Sequence, residues 1–363
     1  MDTAVALSAP AVEKRLNPFE RFLTLWVGLC MVAGVLLGRA APELVQALRS
    51  MEFGEGSHIN FPIALLIWLM IIPMMMKVDF SSIRNVGARP AGLLVTLFVN
   101  WVVKPFSMAL LAWLFFRVVF SGWMTPAEAD QYIAGAIILA AAPCTAMVFV
   151  WSYLTDGDPA YTLVQVSVND LIMLILFAPI VGVLVNGASS LSIPYDVLFY
   201  SVLAFIVIPL TMGWGVRTWL IQQHGRQWLD EELLPSLAPV TIGALLLTLV
   251  FIFAFQAQNI LSKTFHVVLI AIPILLQVYL NAGLAYGLMY RCNVPYAVAA
   301  PGALIGASNF FELAVATAIA LFGPESGAAL ATVVGVLVEV PVMLSVCSVC
   351  NRTRGWFSQE RAA

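Results

Sequence analysis

Ten mainly apolar runs divide this chain, at roughly residues 21–40, 60–76, 91–118, 131–153, 160–185, 195–219, 236–256, 264–290, 295–322 and 326–349. A helix that crosses a bilayer needs about 20 such residues. The pattern therefore predicts an all-α polytopic membrane protein with ten transmembrane helices. The second run is short, and the third, eighth and ninth are long enough to tilt or break. Composition excludes the soluble alternative: of 363 residues, 61% are hydrophobic and 10% are charged, against about 25% charged in an ordinary soluble domain. So little charge cannot cover a water-facing surface.

Residues 1–18, MDTAVALSAPAVEKRLNP, have no apolar core preceded by positive charge. They read as a retained cytoplasmic segment, not a cleaved signal peptide. The 17 Lys and Arg residues test the span count. With the N-terminus inside, Arg39, Arg49, Arg117 and Lys263 fall outside and Lys104 lies within a span. The other twelve fall in inside loops: Lys14, Arg15, Arg21, Lys77, Arg84, Arg89, Arg217, Arg226, Arg291, Arg352, Arg354 and Arg361. This positive-inside bias supports an even count and two cytoplasmic termini. A multi-pass protein of the plasma (cell inner) membrane is expected.

Five spans per half force the second half to lie upside down relative to the first, the plan of many secondary transporters. Residues 19–187 and 194–350 are the expected five-helix repeats, 351–363 a cytoplasmic tail, and "QQHGRQWLDEELLP" (222–235) a charged linking loop. Span four carries "AAAPCTAM" and span nine "IGASNFFELA", each with small or helix-breaking residues in mid-span. Spans five and ten carry "VSVNDLIML" and "VLVEVPVML", each with a carboxylate in an apolar run. Binding sites in such folds form where interrupted helices of the two halves meet. No GxxxxGK[ST] loop occurs, so the chain hydrolyses no nucleotide, and neither an ATPase subunit nor a nucleic-acid partner is expected.

An ionisable residue inside a span costs at least about 2.5–3.5 kcal/mol and usually faces a cavity or partner. Lys104, Asp170, Glu312 and Glu339 qualify, with Asn100, Asn169, Ser308 and Asn309 beside them. Lys104, one turn beyond Asn100 and next to Pro105, either pairs with a carboxylate to hold helices together or takes part in ion coupling. Asp170 and Glu339 read as proton or cation sites ahead of the alternative, a buried hydrogen-bonding network between helices. Glu312, three residues after Asn309 and so on one helix face with it, is the strongest functional candidate. One lysine against three acids leaves a buried excess of −2 if all ionise. At least one acid must then be protonated or hold a cation.

The five cysteines are odd in number and scattered, which argues against a disulfide framework. Cys30 reads as a small hydrophobe. Cys347 and Cys350 read as lipid-facing packing or acylation sites. Cys144 differs, because Pro143 frees backbone groups beside it at the break of span four. A single thiol there suits a soft, thiophilic solute that must later be released.

The run "APCTAMVFVWSYLTDGDPAYTLVQVSVNDLIM" (142–173), with "VNWVVKPFSMALLAWLF" (99–115), "ASNFFELAVATAIALFG" (307–323) and "VEVPVML" (338–344), resembles the Acr3 family of arsenite efflux permeases, within the bile acid/arsenite/riboflavin transporter superfamily. The resemblance implies two inverted five-helix repeats whose interrupted helices four and nine cross. It also implies export of arsenite, and of antimonite in some members, by proton antiport, with no cofactor. The family's functional cysteine falls on Cys144 and its functional glutamate on Glu312. Cys144 is then a transient As(III) ligand, with Ser308 and Asn309 hydrogen-bonding the solute. Asp170, Asn169, Glu339, Lys104 and Asn100 tune the coupling or hold the helices, and Pro143 breaks the backbone.

The alternative is a sodium-coupled organic-anion symporter of the same superfamily, which gives Cys144 no purpose. An intramembrane enzyme with Cys144 as nucleophile lacks a base, since no histidine falls in a central span. Paired inverted breaks with buried acids favour alternating access over a channel.

Overall fold

The computed structural model describes residues 23–52, 59–77, 90–145 and 147–357. The N-terminal segment 1–18, His58 and six of the basic residues counted above (Lys14, Arg15, Arg21, Arg84, Arg89 and Arg361) lie outside this range. In hydrocarbon every backbone polar group must find its partner within the protein, which leaves helices as the natural solution for apolar runs of this length. The described residues accordingly form helices throughout, with only two isolated β-bridges.

In chain order the helices are α1 (Leu23–Ala40), α2 (Pro42–Ser50), α3 (Phe61–Lys77), α4 (Pro90–Val119), α5 (Pro126–Ala141), α6 (Val148–Leu154) and α7 (Pro159–Ala188). There follow α8 (Tyr195–His224), α9 (Arg226–Phe255), α10 (Ala257–Ser262), α11 (Thr264–Arg291), α12 (Tyr296–Ala307), α13 (Phe311–Phe322) and α14 (Gly327–Arg352). Among the described residues six (α4, α7, α8, α9, α11 and α14) are long and apolar enough to cross a membrane. The α1–α2 pair, bent by 100°, can count as a seventh.

Local chemistry fixes the helix starts. Thr125 and Glu128 form a reciprocal capping box on α5. Asp158 caps α7 by accepting from the Ala160 and Tyr161 N–H groups, and Ser326 caps α14. The "TDGDP" turn thus spends one aspartate on a cap. Its other aspartate, Asp156, pairs with Arg354 at 2.9 Å.

The expected linking loop at 222–235 is a correction. It is helical on both sides of Gly225, whose φ of +85° makes a one-residue turn that an L side chain would resist. Asp230, Glu231 and Glu232 stand in the opening turns of α9, where carboxylates complement the helix dipole. Arg217, expected in a loop, is buried within α8 and donates to the Met76 carbonyl.

Two groups of helices pack side by side. In the first, α9 lies against α1 and α3, and α3 against α8. Gly34 and Gly38 let α1 approach α9 so closely that a Cβ at Gly34 would stand 2.5 Å from the Val250 carbonyl oxygen. The second group joins α4, α5, α6, α7, α11, α12, α13 and α14. Here Gly135 of α5 brings that helix against Ala328 of α14, whose carbonyl oxygen would lie 2.2 Å from an added Cβ. The seam between the groups runs where α8 meets α7 and α13, and where α3 meets α13.

Candidate functional site

Each of the two predicted breaks separates a pair of half-helices: α5 from α6 across residues 142–147, and α12 from α13 across residues 308–310. The breaks cross and bond to each other. Pro143 and Asn309 form an antiparallel bridge, and the Phe310 N–H donates to the Ala142 carbonyl at 2.8 Å. An unpaired backbone group in hydrocarbon costs several kcal/mol, so each break partly satisfies the other.

Charged side chains complete the accounting at α12 and α13. Ser308 is the residue that ends α12, and the buried Lys104 ammonium donates to its carbonyl at 2.7 Å. On the far side of the break, Glu339 accepts from the Asn309 backbone N–H at 2.9 Å and from the Asn309 side-chain amide at 3.4 Å. A cation thus meets the negative end of one half-helix and a carboxylate the positive end of the next. Lys104 reaches this position through a π-helical turn, Val99–Val103, just before Pro105. The missing proline N–H makes such a local rearrangement affordable there.

Asn100 and Asn169 do belong together: the Asn100 amide donates to the Asn169 side-chain oxygen at 3.0 Å. The Trp101 indole N–H donates to the same oxygen at 3.0 Å, and Asn169 anchors itself on the Gln165 carbonyl at 2.8 Å. Thr96 and Gln165 extend this link between α4 and α7 by one more turn, at 2.9 Å. Trp101, Thr96 and Gln165 were missed from sequence, although a tryptophan beside Asn100 is itself a signal, since a buried indole seeks an acceptor.

Cys144 is 2% exposed and lies within the crossing, close to Ser308 and the Met147 backbone. Glu312, Glu339 and Lys104 are all within electrostatic reach of it. Glu312 opens the first turn of α13, but Asn309 is not on that helix. The break falls between them, so the expected shared helical face is replaced by an extended segment. Asp170 stands apart: neither carboxylate oxygen has a hydrogen-bond partner, and it faces a cavity with Thr145 and Phe310.

The crossing leaves an unusual residue of unmet hydrogen-bonding capacity. Thr145 Oγ1, Ser308 Oγ, Asn309 Oδ1, Glu312 Oε1 and both Asp170 oxygens are buried without a hydrogen-bond partner among the described residues. Groups left so are costly unless something else fills their valence, and of these Ser308 and Glu312 lie within reach of the Cys144 thiol. The groups gathered here are hydrogen-bond acceptors, hydroxyls and a thiol, a set whose chemistry matches that of hydroxyls and exchangeable protons. The other cysteines have different surroundings. Cys347 and Cys350 are buried against the protein, with the Cys347 thiol 4.0 Å from the Trp151 carbonyl, which corrects their expected lipid-facing or acylated role.

Comparison with known proteins follows the same lines. The Sodium Bile acid symporter family model matches residues 64–263. The chain is 51% identical, over 95% of its length and 96% of the relative's, to the arsenical-resistance protein Acr3 of Alkaliphilus metalliredigens. It is 44% identical to an uncharacterized transporter of Synechocystis sp., over 95% of the chain and 91% of that protein. It is 31% identical to the Acr3 of Corynebacterium glutamicum, over 92% of the chain and 88% of that protein.

Proposed function

Because this chain belongs to the Sodium Bile acid symporter family and groups within it with the Acr3 arsenical-resistance proteins, we propose that it exports trivalent arsenic from the cytoplasm in exchange for protons. It does so as a ten-span protein of the plasma membrane, with both termini cytoplasmic and two inverted repeats. The observation that carries this reading is the lone buried thiol of Cys144 inside the crossing of two broken helices, within reach of Ser308 and Glu312, whose side chains hold oxygens without a hydrogen-bond partner among the described residues.

Neutral As(OH)3 brings three hydroxyls and an electrophilic, thiophilic centre. Cys144 offers one sulfur. The As–S bond forms as one hydroxyl leaves, and the thiol proton departs with it as water; the reverse step, hydrolysis of a single As–S bond, releases the solute. Two or three thiols would trap arsenic, whereas one lets it go. Ser308 Oγ and Asn309 Oδ1 accept from the remaining hydroxyls, and Glu312 carries the exchanged proton. Asp170, Asn169, Glu339, Lys104 and Asn100 tune that exchange or hold the helices around it. Coupling requires that proton and solute bind with different strength in the two access states. Antimonite, with the same valence and affinity for sulfur, is a second expected substrate.

Arsenite uptake into inverted vesicles tests the reading. Uptake should follow an imposed pH gradient and ignore a sodium gradient, whereas a sodium-coupled organic-anion symporter would do the reverse. Cys144→Ala and Glu312→Gln should each abolish it, and full activity in both would overturn the assignment.

A further inference from the structure

Asp170, unlike Asn169, Glu339, Lys104 and Asn100, makes no side-chain hydrogen bond among the described residues. The cavity it faces is narrow, with room for about one water molecule, and its walls come from both helix groups. Ile71 and Met75 of α3 and Phe205, Ile206 and Leu210 of α8 close one side. Thr145, Phe310, Asp170 and Met173 close the other. Asp170 is 4% exposed, both its oxygens lack a hydrogen-bond partner among the described residues, and so does the Thr145 hydroxyl.

The neighbouring titratable groups are engaged elsewhere. On the helices packed against α7, Asp130 pairs with Arg117, Glu128 with Lys263, and Lys104 with the Ser308 carbonyl. Tyr132 bonds His266, Tyr296 bonds Asn351, and Arg217 bonds the Met76 carbonyl. Asp196, Tyr195, Tyr200 and His224 of α8 do not line the cavity, and neither does Glu312 of α13. A carboxylate with no cation beside it among the described residues cannot stay charged in hydrocarbon at low cost, and needs an occupant that neutralises it.

The donor set decides which occupant. A sodium ion stripped of water requires several oxygen ligands. The cavity supplies two from Asp170 and one from Thr145, among carbon atoms and two soft thioethers that suit no hard cation. A proton needs only one carboxylate oxygen, and the resulting hydroxyl needs one acceptor; a single water in the cavity would supply it and link on to the Thr145 hydroxyl on the opposite wall, which makes no direct bond to Asp170. Position on the seam matters equally, since relative movement of the two helix groups would open this cavity to water. We propose that Asp170, with the Thr145 hydroxyl across the cavity, is a proton-binding site of its own, separate from Glu312 and Glu339, and gives the transport cycle a second exchangeable proton. Its place in a transport cycle rests on the export reading above; its protonation does not.

Infrared pH-difference spectroscopy on the full chain in lipid tests this. The carbonyl stretch of a protonated carboxyl should be present, should shift when aspartate is isotopically labelled in its side chain, and should vanish in Asp170→Asn. Glutamate bands will ignore the label; the absence of any band that shifts with labelled aspartate, or a label-sensitive band that persists in Asp170→Asn, overturns the proposal. Should that variant not fold, Thr145→Val supplies the readout: loss of its hydroxyl should move the aspartate band, and an unmoved band counts against the site. On adding arsenite to the wild type the band should lose intensity, and Asp170→Asn vesicles should exchange fewer protons per arsenic. A wild type that shows the aspartate band but exports no arsenite sinks the export reading alone. An exporter without the band sinks this site alone.

Discussion

The two breaks at the centre of the molecule solve one problem in opposite ways. The break between α12 and α13 spans three residues and is clamped by charge at both ends, Lys104 on the Ser308 carbonyl and Glu339 on the Asn309 N–H. The break between α5 and α6 spans 142–147 and has no charged clamp among the described residues. The Ala142 carbonyl is met by the Phe310 N–H, and Thr145 and the nearby Asp170 are left without a side-chain partner among the described residues. The difference separates tasks. One break is a braced frame, and the other is the place where chemistry can happen.

Substitutions should break or sharpen this contrast in a graded series. The largest loss belongs to Lys104→Met, which strips the Ser308 carbonyl and removes a cation that acts on Glu339 without touching it; a buried charge left uncompensated costs about 3–5 kcal/mol. Thermal unfolding in detergent should fall steeply, and Lys104→Met with Glu339→Gln should lose less than the sum of the two single changes. A sum of independent losses would mean the clamps do not act together.

Asn169→Leu removes the shared acceptor of Asn100 and Trp101, and two buried donors left unpaired cost about 1–3 kcal/mol each. The same melt should register it, with a shift that approaches that of Lys104→Met. Cys144→Ala deletes one buried sulfur, and its stability cost should not exceed about 1 kcal/mol. Arsenite uptake should nevertheless collapse, while Cys30→Ser and Cys350→Ser, whose sulfurs are remote from the crossing, should retain it. Equal transport defects in all three would reduce the thiol to packing. The smallest effect is expected for Thr145→Val, where a hydroxyl without a partner is replaced by a methyl group. Stability should change by less than about 1 kcal/mol, and can rise, because no direct hydrogen bond to a described protein group is lost.

Much of this frame is readable from residues alone. Apolar run length locates the helices, and Pro143 and the stretch "GASN" mark the two breaks. The rarity of buried charge singles out Lys104, Glu312 and Glu339. What escapes has one physical origin. Lipid is as apolar as a protein core, so hydrophobic periodicity cannot tell a lipid-facing side chain from a packed one. Cys347 and Cys350 are misjudged for that reason. The polar content of "QQHGRQWLDEELLP" suggests a loop, yet helix continues to His224 and resumes at Arg226, since one glycine suffices to turn the chain. Asn309 and Glu312 look like helix neighbours because the edge of a break is set by its crossing partner, which lies more than 160 residues away. Likewise, nothing in "VND" distinguishes Asn169, bound into a network, from Asp170, facing a cavity beside it.

The hydrogen bonds across the crossing also impose an order of assembly. Lys104 and the Ala142 carbonyl belong to the first half of the chain, and their partners at Ser308 and Phe310 belong to the second. A ribosome delivers the first half into the bilayer seconds earlier, at about 5–20 residues per second. During that interval an ammonium and an open helix end must wait in the membrane without their ligands, held by water or by the insertion machinery. The first half made alone should therefore remain a substrate for quality control, and the moment the second break slides across the first is the moment the protein becomes one body.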